Sequence, residues 1–218
     1  MANETEKLIE RLAAAAEPVK RLRPPAVRAG LWLLAVLAVA VVAIMLFADL
    51  NVFRGRIADS ALMIELGATI VTGAAAVLAA FMLSLPDRPI AWALLPLPSL
   101  AVWVASSGYA CYRNWIVTGP TGWALGESAN CFFFIVAVSV PLSLSLLILL
   151  NRALPLAPAR TTAMGALGVS ALAAAALQFF HPFDVTFLDL GVHLGTIALV
   201  VLLVTAAEFL VPVRANIR

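Results

Sequence analysis

Six stretches of about twenty nearly unbroken apolar residues constrain this chain more than any other feature. They run 29–48, 61–83, 90–107, 128–150, 161–180 and 190–211. Each has the length, roughly 20 residues, that an α-helix needs to cross the hydrocarbon core of a bilayer. None alternates polar and apolar residues as the strands of a membrane barrel do, so helices must satisfy the backbone within lipid. The expected fold is therefore all-α, a polytopic membrane protein with six transmembrane helices. Composition agrees, with 63% hydrophobic and 12% charged residues. A soluble domain carries about 25% charged residues, and this chain has too few to cover a water-facing surface. Pro96 and Pro98 in the third run and Pro141 in the fourth predict kinks. No duplicated halves are evident, which argues against a transporter built on repeats.

The connections set the orientation. Lys7, Arg11, Lys20, Arg21, Arg23, Arg28, Arg88, Arg152, Arg160, Arg214 and Arg218 fall on one side, and only Arg54, Arg56 and Arg113 on the other. Basic residues favour the cytoplasmic side, so both termini are expected there. The chain then divides into a cytoplasmic leader, 1–28, a transmembrane domain, 29–211, and a cytoplasmic tail, 212–218. No cleavable signal segment is expected, because residues 1–23 are charged and mixed. A formal net charge of +2 is too small to suggest direct contact with nucleic acid.

The leader is the only sizeable segment outside the apolar runs. Asn3 and Glu6 have capping-box spacing. Leu8, Ile9, Leu12, Ala13 and Ala16 then make an apolar stripe, with Lys7, Glu10, Arg11 and Glu17 elsewhere on the wheel. Pro18 begins to break this helix, and Pro24-Pro25 ends it. Such a helix either lies on an anionic membrane surface, helped by Lys20, Arg21, Arg23 and Arg28, or docks in the groove of a partner.

On the expected outer side the chain gathers Cys111, Cys131, His181, Asp184, Asp189 and His193. His181 to Asp184 reads as a turn, because Pro182 cannot continue a helix and Asp184 can cap the next one. Asp189 and His193, four apart, share a helical face. Gly191 and Gly195 have the small-xxx-small spacing that permits close approach by another helix. The loop is either a capped connection with an interfacial histidine or a metal- or proton-responsive site, since imidazole binds metals and titrates near neutrality. Cys131, His181 and His193 are the candidate metal ligands, and a transition-metal ion the candidate cofactor. Two cysteines on an oxidising side also suggest a disulfide, Cys111–Cys131, against the alternative of two unpaired thiols. A loop of that length would contribute about 3 kcal/mol in the chain-entropy picture. Glu65 and Glu208 lie within spans near helix ends, where snorkelling or interhelical hydrogen bonds account for them. No G-x-S-x-G, H-E-x-x-H or phosphate loop is present, so neither an enzymatic activity nor a small-molecule substrate is expected.

The leader LIERLAAAAEPVKRLRPP, the stretch LPDRPIAWALLPLP, the segments SGYACYRNW and GESANC, and the tail HPFDVTFLDLGVHLGT stand together in one order. In that order and spacing, over nearly the whole chain, the sequence resembles the NrsF family of six-span membrane proteins, negative regulators of a sigma factor F. The resemblance implies an anti-sigma factor in the bacterial inner membrane. It would hold an extracytoplasmic-function (ECF) sigma factor and release it on metal or oxidative stress. Leu8, Ile9, Leu12, Val19 and Leu22 would contact the sigma factor, and the outer Cys/His/Asp group would receive the signal. Members commonly carry two outer cysteines. Cys131 matches the first, but His181-Pro182 stands where the second is often found, leaving Cys111 as the candidate partner. The competing expectation is a small membrane redox protein or transporter with His181 and His193 as haem or metal ligands.

Overall fold

The computed structural model describes residues 2–15, 22–119, 125–153, 155–180 and 187–210. Among these residues all regular structure is helical. α1 is Ala2–Ala15, α2 Pro25–Phe47, α3 Leu50–Arg56 and α4 Ser60–Leu83. α5 is Leu97–Thr118, α6 Leu125–Asn151, α7 Pro158–Phe180 and α8 Phe187–Leu210. A single-turn 3₁₀ segment, Ile90–Leu94, precedes α5. Among the described residues, five helices are long and apolar enough to cross a membrane: α2, α4, α5 with its 3₁₀ turn, α6 and α7. α8 carries a shorter apolar stretch, Leu190–Ala206. The architecture fits a multi-pass membrane protein.

Local chemistry sets most boundaries. α2 and α7 begin on Pro25 and Pro158, where a missing N–H costs nothing and φ is already helical. α4 begins after Asp59, whose Oδ1 accepts from the Ala61 N–H at 2.9 Å. α3, which the apolar pattern does not announce, starts beside Asp49, whose Oδ1 accepts from Asn51 N–H at 3.0 Å. α1 takes in Asn3 as a helical residue, so Asn3 is not its N-cap.

α5 corrects the reading of the third run in two ways. Pro96 and Pro98 lie at its first turn, where proline is tolerated, so they start a helix instead of kinking one. The helix also continues past Ser107 to Thr118. The polar break is absorbed by hydrogen bonds: Ser106 Oγ donates to Trp103 O at 2.9 Å, and Ser107 Oγ donates across to α4. Tyr109, Tyr112 and Trp115 then extend it with amphipathic rings suited to a membrane interface. Gly119, at φ 74°, ends it in a conformation that a Cβ would penalise. Pro141 sits inside α6 without ending that helix.

The helices alternate in direction. At one end, the leader end, α2 and α7 begin while α4 and α6 finish: Arg28 donates to Leu149 O, and Thr161 Oγ1 to Leu83 O at 3.3 Å. At the other, the loop end, Phe53 of α3 stacks on Phe179 of α7 with centroids 4.4 Å apart, and Phe134 of α6 on Phe180 at 5.3 Å.

α7 is the hub of the bundle. It contributes to all three apolar clusters: Val169 beside Trp32, Phe81 and Leu146; Ala171 and Ala174 beside Trp103 and Ile197; Ala173 and Leu177 beside Ile135. Its closest neighbour is α4, and their backbones meet at Gly73 and Gly168. A Cβ on Gly168 would sit 2.9 Å from Val77 N and 3.0 Å from Gly73 O. Lipid is as apolar as leucine, so such close packing, more than a hydrophobic drive, holds membrane helices together. Gly191 and Gly195 of α8, expected to permit this kind of approach, are exposed and would meet nothing within 4 Å among the described residues. α2 lies at the periphery and shows a long row of exposed aliphatic residues, among them Leu34, Val39 and Met45.

Candidate functional site

The loop end holds a polar cluster built by three helices. Glu65, one turn and a residue into α4, is only 6% exposed. Its Oε1 accepts from Ser107 Oγ of α5 at 2.7 Å and from Gln178 Nε2 of α7 at 3.3 Å. Glu65 was expected to be explained by snorkelling or interhelical bonds, and the interhelical bonds are what the structure has. Sequence reasoning missed Ser107 and Gln178 as its partners. The available signal was that each puts a polar side chain in an apolar run.

Above Glu65 lies a cavity of about 220 Å³, lined by Arg56, Asp59, Glu65, Ala110, Arg113 and Asn114 among others. Arg113 Nη2 lies 2.7 Å from Asp59 Oδ2 across the rim, and both side chains are partly exposed. This guanidinium, with the Ala61 N–H, holds the Asp59 carboxyl below its usual range. The Asp59 carboxylate thus caps α4 and ties it to the last turns of α5.

The expected sensor residues fall unevenly on this frame. Cys111 is 1% exposed, one turn beyond Ser107 on the same face of α5. Cys131 lies on α6, and Asp189 and His193 on α8, but their side chains are outside the described residues, as are His181 and Asp184 altogether. The bond Cys111–Cys131 and the ligand set Cys131, His181 and His193 therefore also lie outside them. Among the described residues no group of three His, Cys, Asp or Glu is placed to hold a metal ion.

At the leader end, Arg28 fixes the junction between leader and bundle. Its guanidinium donates to Leu149 O, one of the α6 carbonyls left without an intrahelical partner, and lies 5.1 Å from the Phe81 ring centre. One turn on, Trp32 Nε1 donates to Ser145 Oγ at 3.1 Å. Polar side chains thus join α2 to α6 at the end where the leader enters. On α1 itself every described side chain from Glu4 to Ala15 is exposed, including Leu8 at 56%, Ile9 at 61% and Leu12 at 63%. Leu22 is also exposed, and Val19 lies outside the described residues.

A family model described as NrsF, negative regulator of sigma F, matches residues 12–210. The chain belongs to the NrsF family. No curated protein and no solved structure matches it. The family is a regulatory one, and its description makes a sigma factor the partner. The match takes in the bundle and the cluster around Glu65, together with the end of the leader from Leu12 onward.

Proposed function

We propose that this NrsF protein is an anti-sigma factor of the bacterial inner membrane, which captures an ECF sigma factor through its leader. The observation that carries the reading is the apolar stripe of α1, with Leu8, Ile9 and Leu12 all more than half exposed. An amphipathic helix with its apolar side uncovered suits a groove on a protein partner. Val19 and Leu22 extend the same contact. The split of the basic residues along the sequence, eleven of fourteen in the leader, the tail and the connections on that side, supports six spans with both termini in the cytoplasm. The loop end then faces the periplasm, where Cys111, Cys131, His181, Asp184, Asp189 and His193 register metal or oxidative stress. Thiolate and neutral imidazole favour soft and borderline metals, and thiols respond to oxidants. A stimulus of this kind frees the sigma factor by preferring one arrangement of the helices, and a coupling of about 1–3 kcal/mol changes affinity roughly 5- to 150-fold.

The test is capture of the sigma factor by the full chain carrying Leu8→Asp and Leu12→Asp. Each buried leucine is worth about 1.5–3 kcal/mol, so losing two should weaken capture by more than about a hundredfold while membrane insertion persists. Capture at wild-type strength would refute the leader as the binding segment. A change confined to the leader's affinity for anionic vesicles would identify it instead as a surface-lying helix.

A further inference from the structure

We propose that Glu65 is a proton-binding site, reached by water through the cavity at the loop end, and that its protonation loosens the tie between α4, α5 and α7. Both hydrogen bonds to the carboxylate end on Oε1, and no described residue donates to Oε2, while the side chain lines the cavity. A buried carboxylate inside a span is costly to keep, which makes one with an open path to water a candidate for function.

The lining selects the ligand. Two cations, Arg56 of α3 and Arg113 of α5, and two carboxylates, Asp59 and Glu65, line the cavity, so its formal charges balance and favour neither a metal cation nor an anion. A water needs about 10–15 Å³ of such space, so water fits readily and a proton can arrive along it. The remaining neighbours supply little competing charge. α7 contributes the neutral Gln178, and α5 adds Ser107, Asn114 and the buried Cys111. The Asp189 and His193 side chains of α8 lie outside the described residues.

The consequence follows from bond strength. With Glu65 ionised, Ser107 and Gln178 both donate to a carboxylate, and charge-assisted bonds are about twice as strong as neutral ones. A proton on Oε2 leaves both donors in place and removes the charge that strengthens them. The new O–H donates into the cavity. The seam that weakens is the one where Ser107 and the buried Cys111 share a face of α5.

The experiment uses the full chain in lipid nanodiscs without any sigma factor, so its outcome is independent of the regulatory reading. Difference infrared spectra between about pH 4 and pH 8 should show a protonated-carboxyl band that is absent from Glu65→Gln. Amide exchange across 107–114 should be about five- to tenfold faster in Glu65→Gln than in wild type at the upper end of this range. The ratio should fall to about one at the lower end, since glutamine mimics the protonated acid. Ser107→Ala should keep the infrared band and lose most of the difference in exchange. Absence of a Glu65-dependent band would overturn the proposal, as would an exchange ratio that stays constant with pH.

Discussion

Gly168→Ala should unsettle the bundle more than any other single-methyl addition on the α4–α7 seam. The new Cβ would lie 2.7 Å from Val77 Cγ2, 2.9 Å from Val77 N and 3.0 Å from Gly73 O. The Val77 methyl can rotate away, but the two backbone atoms can only move with α4 itself. Ordinary contact begins near 3.4 Å, so the helices must part by about half an ångström. A gap of that size forfeits about a quarter of the dispersion at each pair along the seam, where Ala76, Val77, Ala80 and Val169 are fully buried. Overpacking of this kind costs about 1–3 kcal/mol, and alanine returns up to about 1 kcal/mol in helix propensity. The net loss should be about 1–2 kcal/mol. Gly73→Ala should cost less, because its closest contacts, at 2.7 and 2.9 Å, are with the flexible Leu172 side chain. Gly67→Ala, on the exposed face of α4 with nothing within 4 Å among the described residues, should be neutral or slightly stabilising. Unfolding in lipid nanodiscs should rank the three in that order. A Gly168→Ala protein as stable as Gly67→Ala would show that close approach at Gly168 does not hold the bundle.

Three further outcomes follow from the polar contacts. Arg28→Gln should destabilise by about 1–3 kcal/mol, measured by the same unfolding assay, since it removes the donor to Leu149 O and the cation over Phe81; an unchanged midpoint would refute a capping role. Ser170→Ala should be neutral or stabilising, because the Ser170 hydroxyl is buried with no hydrogen-bond partner among the described residues; a loss above about 1 kcal/mol would point to a water held there. Asp59→Asn should cost little, the pair with Arg113 being partly exposed. The Asp59 carboxyl titrates below its usual range, so its contribution is present above about pH 4 and fades as pH falls through the lower folded-state value. Wild type and Asp59→Asn should therefore converge in stability only in strong acid.

Much of the fold could be read from the length of the apolar runs, because in lipid the backbone has few alternatives to a helix. The limits of that reading are local. The third run looked finished at Ser106-Ser107, since hydropathy scores a serine as polar whether or not its hydroxyl is satisfied. Here one serine bonds back to its own helix and the other to Glu65, so α5 continues. α3 was not foreseen because its seven residues are too few to show a period. The glycines show the same limit from the other side. Small-xxx-small spacing is present on α8 and meets no close approach there among the described residues. The backbones of α4 and α7 meet instead through Gly73 and Gly168, which only the pairing of helices reveals.

Of the polar cluster at the loop end, the sequence singles out Glu65 alone, and neither its partners nor their arrangement. Glu65 is conspicuous in an apolar run, and its partners Ser107 and Gln178 are visible as polar letters 42 and 113 positions away. Nothing in their spacing joins them, because helices on one side of a membrane can neighbour each other in several orders. What joins them is the seam between α4 and α7, drawn together at Gly73 and Gly168, with α5 packed along α4. Gln178 reaches Glu65 because α7 lies that close to α4, and Ser107 because α5 runs on past the point where its apolar run stops. The buried carboxylate and the two glycines are therefore parts of one device. Widening the seam with a methyl at Gly168 should lengthen the Gln178 bond as well, and the protonated-carboxyl band of Glu65 should shift in Gly168→Ala. An unshifted band in a demonstrably destabilised Gly168→Ala protein would separate the two.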